Sequence, residues 1–299
     1  MTDQPIPLFL NPVAGRGRAG KRASSIRDIL QASGLEATIV ESTGVGDLEN
    51  RVLEHSRRQS GTFIIAGGDG SVYEAINGVL RSGRDSPFGL VPTGTGNDFA
   101  KACGISLDWE AAARLLAGRI AEGVATRSVD AGKMNDRYFA NGAGIGFDAK
   151  VNRIARKYRW PIGDLVYLMA VLEGLWDGVL TPTVKMTFNG QEYNGRITLA
   201  NVSNGAWVGG MFYIAPDAEN DDGHLDLVFA EPVTRRRVLA LLPGLIKGTH
   251  VGEPDIQCHT INDFELIADA PVPSHLDGEP QPMQTSFQIS LKKNALSVL

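Results

Sequence analysis

Short apolar runs alternate with helical patterns through the first hundred residues, and that alternation constrains the fold more than any other feature of the chain. Strand-like runs fall at residues 7–10, 36–41 (EATIVE), 62–66 (TFIIA) and 88–91. Between them, apolar positions recur at helical spacing over 19–32, 48–58 and 72–80, and a further helix opens near Asn97. Strands separated by helices require crossover connections, which make a parallel sheet with helices packed on its faces. The character changes after about residue 129. Short β-like runs appear at 138–142, 183–188, 195–202, 225–229, 264–268 and 287–291, with longer helical patterns only at 163–176 and 234–247. At 299 residues the chain is long enough for two domains. The expectation is α/β plus β: a parallel sheet with helices on its faces over 1–128, then a mostly antiparallel β region with helical insertions over 129–294.

Glycine punctuates this pattern. The chain has 35 glycines without low complexity, and they cluster where apolar runs end. Ligands of an open parallel sheet bind beyond the carboxyl ends of its strands. Three glycine-rich turns are expected there: NPVAGRGRAG from Asn11, GGDGS from Gly67 and PTGTGND from Pro92. Such turns offer unpaired backbone N–H groups at a helix N-terminus, a combination that favours phosphate.

The first turn has two readings. Gly15, Gly17 and Gly20 satisfy G-x-G-x-x-G, and Glu41 ends the following strand, as in dinucleotide sites. Against that, Asn11 and Pro12 stretch the turn, and Arg16, Arg18, Lys21 and Arg22 surround it with charge better suited to a triphosphate or an anionic surface. In the second turn Ser71 and Glu74 form an S-x-x-E capping box for a helix beginning at Val72. Capping does not explain Asp69, a carboxylate set among Gly67, Gly68 and Gly70 where it would repel phosphate. A bridging Mg²⁺ removes the conflict by satisfying both. The third turn adds Thr93 and Thr95, then Asn97 and Asp98 at a helix start, as caps or as nucleotide and metal contacts.

These turns, together with APDAENDDGHLDLVF from Ala215 and HLDGEP from His275, resemble the successive motifs of the diacylglycerol kinase catalytic-domain family, which includes bacterial lipid kinases, sphingosine kinases and ceramide kinases. The resemblance covers nearly the whole chain, whereas GGDG alone is shared with NAD kinases and phosphofructokinases. It implies a Rossmann-like, phosphofructokinase-like nucleotide-binding domain, a C-terminal antiparallel β-sandwich and an active site in the cleft between them. It also implies a last strand, near 295–299, returning to the first domain. ATP contacts are implied at Gly67, Gly68, Asp69, Gly70, Ser71, Glu74, Thr95, Asn97 and Asp98, with Asn11 and Ser42 added from the first two strand ends. Ser71 stands where the family more often has Thr, with the hydroxyl retained. The general base is implied in the DGE element, at Glu279 or Asp277, with Glu279 favoured and Asp277 as a supporting carboxylate or metal contact; an acidic hairpin turn explains the same residues. A structural Mg²⁺ site is implied at Asp222, the His224 carbonyl and an oxygen of Glu219, where a simple Asp-Gly turn is the alternative. The implied activity is transfer of the γ-phosphate of ATP, with Mg²⁺, to a lipid hydroxyl such as that of diacylglycerol.

Composition limits the partners. A formal net charge of −5 leaves no domain-wide excess of Lys and Arg for a nucleic acid. Two distant cysteines, Cys103 and Cys258, make no disulfide framework and suit a reducing cytoplasm. No signal peptide or membrane-spanning run is apparent. The lipid would be met at a membrane surface, with peripheral contact at its inner face. Two segments have the basic and apolar composition for this: residues 153–160 (RIARKYRW) and 234–247 (TRRRVLALLPGLIK). Packing of their apolar faces on the sandwich is the competing reading. Two other functions stay open: a kinase of a soluble substrate such as NAD, and an NAD-binding oxidoreductase. Nothing in the sequence sets the oligomeric state; a homodimer is compatible with it.

Overall fold

The computed structural model describes residues 4–58, 61–158 and 165–299. The chain divides into two compact units, Met1–Asp130 with Lys293–Leu299, and Ala131–Lys292.

The first unit alternates strand and helix: β1 (Ile6–Leu10), α1 (Ala14–Ala32), β2 (Ala37–Glu41), α2 (Asp47–Arg58), β3 (Phe63–Gly67), α3 (Asp69–Ser82), β4 (Phe88–Pro92), α4 (Asp98–Ala102) and α5 (Trp109–Glu122). β1 pairs in parallel with β2 and β3, and β3 pairs in parallel with β4, giving the order β2-β1-β3-β4. Alternation along each strand divides the core. Leu8, Leu10, Ile64 and Ala66 pack with Ile26 and Leu30 of α1 and Leu116 of α5. On the opposite face Phe9, Phe63, Phe88 and Phe99 form a ladder of ring contacts 5.6–6.3 Å apart. That order places a topological switch between β1 and β3, so the loops leaving these two strands flank the crevice where such sheets bind ligands. Leu299 donates its N–H to the Phe88 carbonyl (3.0 Å), and Val298 pairs in parallel with Phe88, so the end of the chain extends this sheet beyond β4.

The regular part of α1 follows the expected pattern, but its first turn is a left-handed loop at Gly15, Arg16 and Gly17 (φ 57°, 64° and 83°). α5 was not expected. Its signal is an N-cap at Asp108, which accepts from the N–H groups of Glu110 and Ala111 (2.9 and 3.3 Å) ahead of an alanine-rich run.

The second unit contains β5 (Arg127–Met134, whose first residues lie in the first unit), β6 (Arg137–Phe139), β7 (Gly142–Gly146), α6 (Phe147–Ala155), α7 (Leu165–Trp176), β8 (Thr183–Phe188), β9 (Gln191–Arg196), β10 (Leu199–Ser203), β11 (Trp207–Val208), β12 (Phe212–Tyr213), β13 (Leu225–Ala230), α8 (Arg235–Lys247), β14 (Ile256–Ile261), β15 (Asp263–Leu276) and β16 (Glu279–Val298, whose last residues lie in the first unit). Antiparallel pairing runs β14-β13-β10-β7-β15-β16, with β8 on β15 and β9 on β8. The apolar run expected as one strand over 195–202 is two strands, β9 and β10, interrupted at Ile197 and Thr198. Ile197 is fully buried, and Thr198 bonds to the Ala230 and Glu231 carbonyls. Helices α6, α7 and α8 share one apolar cluster built on Phe147, Val151, Val171, Val238 and Leu242. No helix among the described residues is long and apolar enough to cross a membrane.

Candidate active site

In the first unit the three glycine turns interlock through their backbones. Thr93 donates its N–H to the Gly67 carbonyl (2.9 Å), tying the turn after β4 to that after β3. A Cβ on Gly68 would lie 2.8 Å from the Gly94 Cα, closer than side chains ever sit, and a Cβ on Gly94 would strike the Gly68 Cα in return. A Cβ on Gly15 would run into the Thr93 carbonyl oxygen, so the first turn meets the third equally closely. Arg18 then stitches the two: its guanidinium donates to the carbonyls of Gly15 (2.9 Å) and Gly94 (2.8 Å) and to the Thr95 hydroxyl (3.1 Å). Among the basic residues of that turn, Arg18 has no distinguishing signal in the sequence.

The expected nucleotide residues therefore divide by role. Asp69 opens α3, half-buried, and its Oδ1 accepts the N–H of Phe99 in the first turn of α4 (3.2 Å). Asn97 holds a left-handed conformation (φ 53°), and its side chain closes the third turn on the Gly94 N–H (3.0 Å) and carbonyl (3.3 Å). Asp98 is buried and paired with Lys101 (3.1 Å). Asn11 closes its own turn by accepting from Val13 N–H (3.1 Å), and Ser42 is buried with its N–H on the Leu10 carbonyl (2.8 Å).

The capping box is corrected. α3 begins at Asp69, so Ser71 lies inside its first turn, buried, with no side-chain cap bond at the N-cap Gly68. Glu74 instead reaches the N-terminus of α2, accepting from Gly46 (3.0 Å), Leu48 (3.1 Å) and Glu49 (3.3 Å) N–H groups, where a carboxylate opposes the helix dipole and satisfies its orphan donors. Glu74 thereby supports the loop after β2.

In the second unit Leu276 pairs with Glu279, and Asp277 and Gly278 take left-handed φ values of 49° and 81°. They form the two-residue turn that joins β15 to β16 in the primed geometry hairpins favour. The Asp277 carboxylate accepts three N–H groups, from Ala140 (2.8 Å), Asn141 (2.8 Å) and Gly142 (2.9 Å). Its pKa is pushed up to about 6, because loss of solvent outweighs those three bonds and the nearby His275. Both oxygens accept backbone N–H groups, so Asp277 holds the turn. Glu279, two residues on, is half-buried and paired with Arg156 (2.7 Å), which also donates to the Gly278 carbonyl (3.3 Å).

α6 carries the polar partners of this hairpin at i, i+4 and i+8: Asp148, Asn152 and, just past its end, Arg156. His275 accepts the Gly278 N–H at Nδ1 (3.3 Å), which leaves its proton on Nε2, 3.5 Å from Asp148 Oδ2. Gly144 makes this pair feasible, since a Cβ there would collide with both Asp148 Oδ2 and His275 Nε2. Asp148 and His275 floor an apolar pocket with about 90 Å³ of free internal volume, walled by Tyr167 and Val171 of α7 and Val238 and Leu242 of α8. Three buried polar atoms of pocket-lining residues, Asp148 Oδ2, Asn152 Oδ1 and Asn201 Nδ2, have no hydrogen-bond partner. Sequence patterns do not reveal this pocket; the polar stripe along α6 is its one local signal.

Asp222 lies on an exposed turn, where its Oδ1 accepts the His224 N–H (2.9 Å), and Glu219 is exposed nearby in sequence. The Asp226 carboxyl is pushed up by burial first and then by the charges of Asp222 and Asp217. That repulsion is one a cation would relieve. Among the described residues, however, no three acidic, histidine or cysteine side chains converge on a point, so a metal here would depend on backbone oxygens.

Both folds have known counterparts. Residues 5–133 match the family described as diacylglycerol kinase catalytic domain, and residues 142–299 match the YegS C-terminal NAD kinase beta sandwich-like domain. A protein named diacylglycerol kinase from Mycobacterium tuberculosis is 30% identical, with 93% of this chain and 94% of that protein aligned. Its Bacillus subtilis namesake is 29% identical over 91% and 88%. A solved structure from Bacillus anthracis superimposes with a TM-score of 0.81 at 25% identity, covering 100% of this chain and 97% of the other. The architecture is thus that of a two-part kinase, an α/β catalytic fold followed by a β-sandwich. The chain belongs to the diacylglycerol kinase catalytic-domain family.

Proposed function

We propose that this kinase transfers the γ-phosphate of ATP, with Mg²⁺, to the hydroxyl of a lipid alcohol of the diacylglycerol class. The observation that carries the lipid reading is the pocket of the second unit: apolar walls ending on Asp148, Asn152, Asn201 and His275, with polar atoms there still lacking partners. A hydrocarbon chain suits the walls, and an alcohol suits the floor. A soluble, highly polar acceptor such as NAD finds no match in those walls. The names of the M. tuberculosis and B. subtilis relatives point the same way.

The interlocked turns of the first unit support the ATP reading. Glycines at 15, 68 and 94 keep the cradle free of side chains, and Arg18 and the turn N–H groups bring positive potential to it. The dinucleotide alternative is disfavoured there, because left-handed residues 15–17 hold the G-x-G-x-x-G segment as a loop against Thr93 rather than as a tight strand-to-helix turn. Asp69 provides carboxylate oxygens, hard donors of the kind Mg²⁺ takes. When bound, the ion neutralises charge on the transferring phosphoryl group. A second Mg²⁺ at Asp222, with the His224 carbonyl and an oxygen of Glu219, would have a structural role.

Glu279 acts as general base, taking the acceptor's proton as the hydroxyl attacks. Arg156 orients its carboxylate, Asp277 fixes the turn that presents it, and the Asp148–His275 pair aligns the hydroxyl at the pocket floor. The test is transfer of labelled γ-phosphate from Mg·ATP to a panel of lipid alcohols in mixed micelles, with Asp69→Ala as control. Label in diacylglycerol or a related lipid, absent from the control, supports the reading. Label only in water-soluble acceptors contradicts it.

A further inference from the structure

Asn152 and Asn201 are the two floor residues of the pocket that the alignment of a single hydroxyl leaves unused. Adjacent strands set them in place. Asn201 of β10 is in register with Gly144 of β7, and Gly144 with His275 of β15, so Asn201 and His275 flank the glycine on one face of the sheet, their Cα atoms about 10 Å apart. Because Gly144 has no side chain, the space between them stays open to Asp148 and, one turn along α6, to Asn152. Asn201 is fully buried and Asn152 is 5% exposed, and both line the pocket. The basic residues along α6 are engaged elsewhere. Lys150 donates to the carbonyls of Gly174 (3.1 Å) and Gly178 (2.9 Å), Arg153 donates to the Gln281 carbonyl, and Arg156 pairs with Glu279. Arg159 and Trp160, which end that basic segment, lie outside the described residues.

Each asparagine has one amide end without a partner, and the two ends are of opposite kind. Asn201 Oδ1 accepts the Ser203 hydroxyl (2.6 Å), which leaves Nδ2 as a buried, unpaired donor. Asn152 turns its Nδ2 toward the hairpin, 3.5 Å from where a Cβ on Gly278 would stand, and its Oδ1 is a buried, unpaired acceptor. Buried amide ends are costly to leave unpaired, so the occupant of this floor has to answer one donor and one acceptor together. An ester carbonyl only accepts, and would leave Asn152 unanswered. An ammonium group only donates, and would leave Asn201 unanswered. A hydroxyl does both. The reacting hydroxyl is already placed at Asp148 and His275, so the one between the asparagines is a second.

We propose that Asn152 and Asn201 hold a second hydroxyl of the acceptor, so that the preferred substrate is a lipid diol, phosphorylated at one hydroxyl and held by the other. The held hydroxyl donates to Asn152 Oδ1 and accepts from Asn201 Nδ2, and it stays free in the product. Asp148 and Asn152 stand one helical turn apart, roughly 5–6 Å between Cβ atoms, which suits two hydroxyls on neighbouring carbons. The proposal rests on the lipid reading above and narrows its acceptor.

The experiment measures kcat/KM of the full chain with Mg·ATP in mixed micelles for three acceptors of one chain length: hexadecanol, its vicinal diol and the matching vicinal amino alcohol, with diacylglycerol alongside. Wild type is expected to favour the diol over hexadecanol by about 10²-fold, the discrimination that a buried pair of hydrogen bonds gives against an analogue lacking the hydroxyl. The amino alcohol should fall at least about tenfold below the diol, since it leaves Asn201 without an acceptor. In Asn152→Leu and in Asn201→Leu the ratio of diol to hexadecanol should collapse to about one, whereas a merely structural role would lower both acceptors together and keep the ratio. Equal values for diol and hexadecanol in wild type would mean that water serves the asparagines; they would overturn the proposal and leave the lipid-kinase reading standing. An amino alcohol that equals the diol, or a ratio that survives both substitutions, would overturn it in the same way. Turnover of none of these lipids, diacylglycerol included, would remove the lipid reading and the proposal with it.

Discussion

The two units build their sites from opposite materials. The first unit makes its cradle from backbone: glycines of three turns approach until no Cβ fits between them, and the side chains nearby mostly hold turns closed. The second unit makes its pocket from side chains spread over α6, α7, α8 and β15, with one short hairpin as its polar edge. A cradle of backbone binds what every nucleotide shares, its phosphates. A pocket of side chains binds what distinguishes one acceptor from another. Substitutions in the first should therefore stop chemistry for every acceptor, and those in the second should change which acceptor is used and how well.

Asp69→Ala is the most severe test of that division. Turnover should fall by about 10³-fold with any acceptor, the loss expected when charge neutralisation at a phosphoryl group fails. The melting temperature should fall by no more than a few degrees, the Phe99 N–H losing its acceptor. Glu279→Gln should lower kcat by about 10²-fold with little change in KM for ATP, as befits a proton acceptor. Full turnover in this variant would move the base elsewhere.

Asp277 sharpens the comparison through pH. Its folded pKa, about 6, is above the ordinary 3.8, so between these values the folded protein binds more protons than the unfolded chain. Its contribution to stability is therefore greatest at the acid end of that window and declines as pH rises through 6. The advantage of wild type over Asp277→Asn in denaturant unfolding should shrink by about 2 kcal/mol from pH 4 to pH 7. A constant difference would mean that the carboxylate is not deprived of solvent. Gly144→Ala is the smallest and most selective change. Its methyl group would part Asp148 from His275, raising KM for the lipid about tenfold. KM for ATP should not move.

The contrast in materials also explains what is legible in the sequence. A turn that needs glycine writes glycine into consecutive positions, so the segments around Asp69 and Thr95 stand out in the residue order alone. Strand and helix alternation makes the parallel sheet equally apparent. Glu74 is misleading because S-x-x-E is a local pattern, whereas the donors it satisfies belong to α2, more than twenty residues earlier. The start of α1 is displaced for a related reason: left-handed residues 15–17 interrupt the helical period. Asp148 and His275 meet only because β7 and β15 pair side by side, across more than a hundred residues, and no spacing rule encodes that. Exposure is the other quantity the sequence hides. The apolar residues of 234–247 can be assigned to a helix from their spacing, but not divided between a buried face and an open one.

The central claim is that the cradle serves ATP while the pocket serves the lipid, and Leu242→Trp tests it most directly. Leu242 lines the pocket and lies in the second unit, and an indole there would occupy much of the free volume. Steady-state lipid phosphorylation in mixed micelles, titrated against lipid and ATP in turn, gives both constants on the same protein. The expected result is a KM for lipid raised at least tenfold with KM for ATP unchanged. An unchanged lipid KM, or a parallel rise in both constants, would contradict the assignment of the pocket.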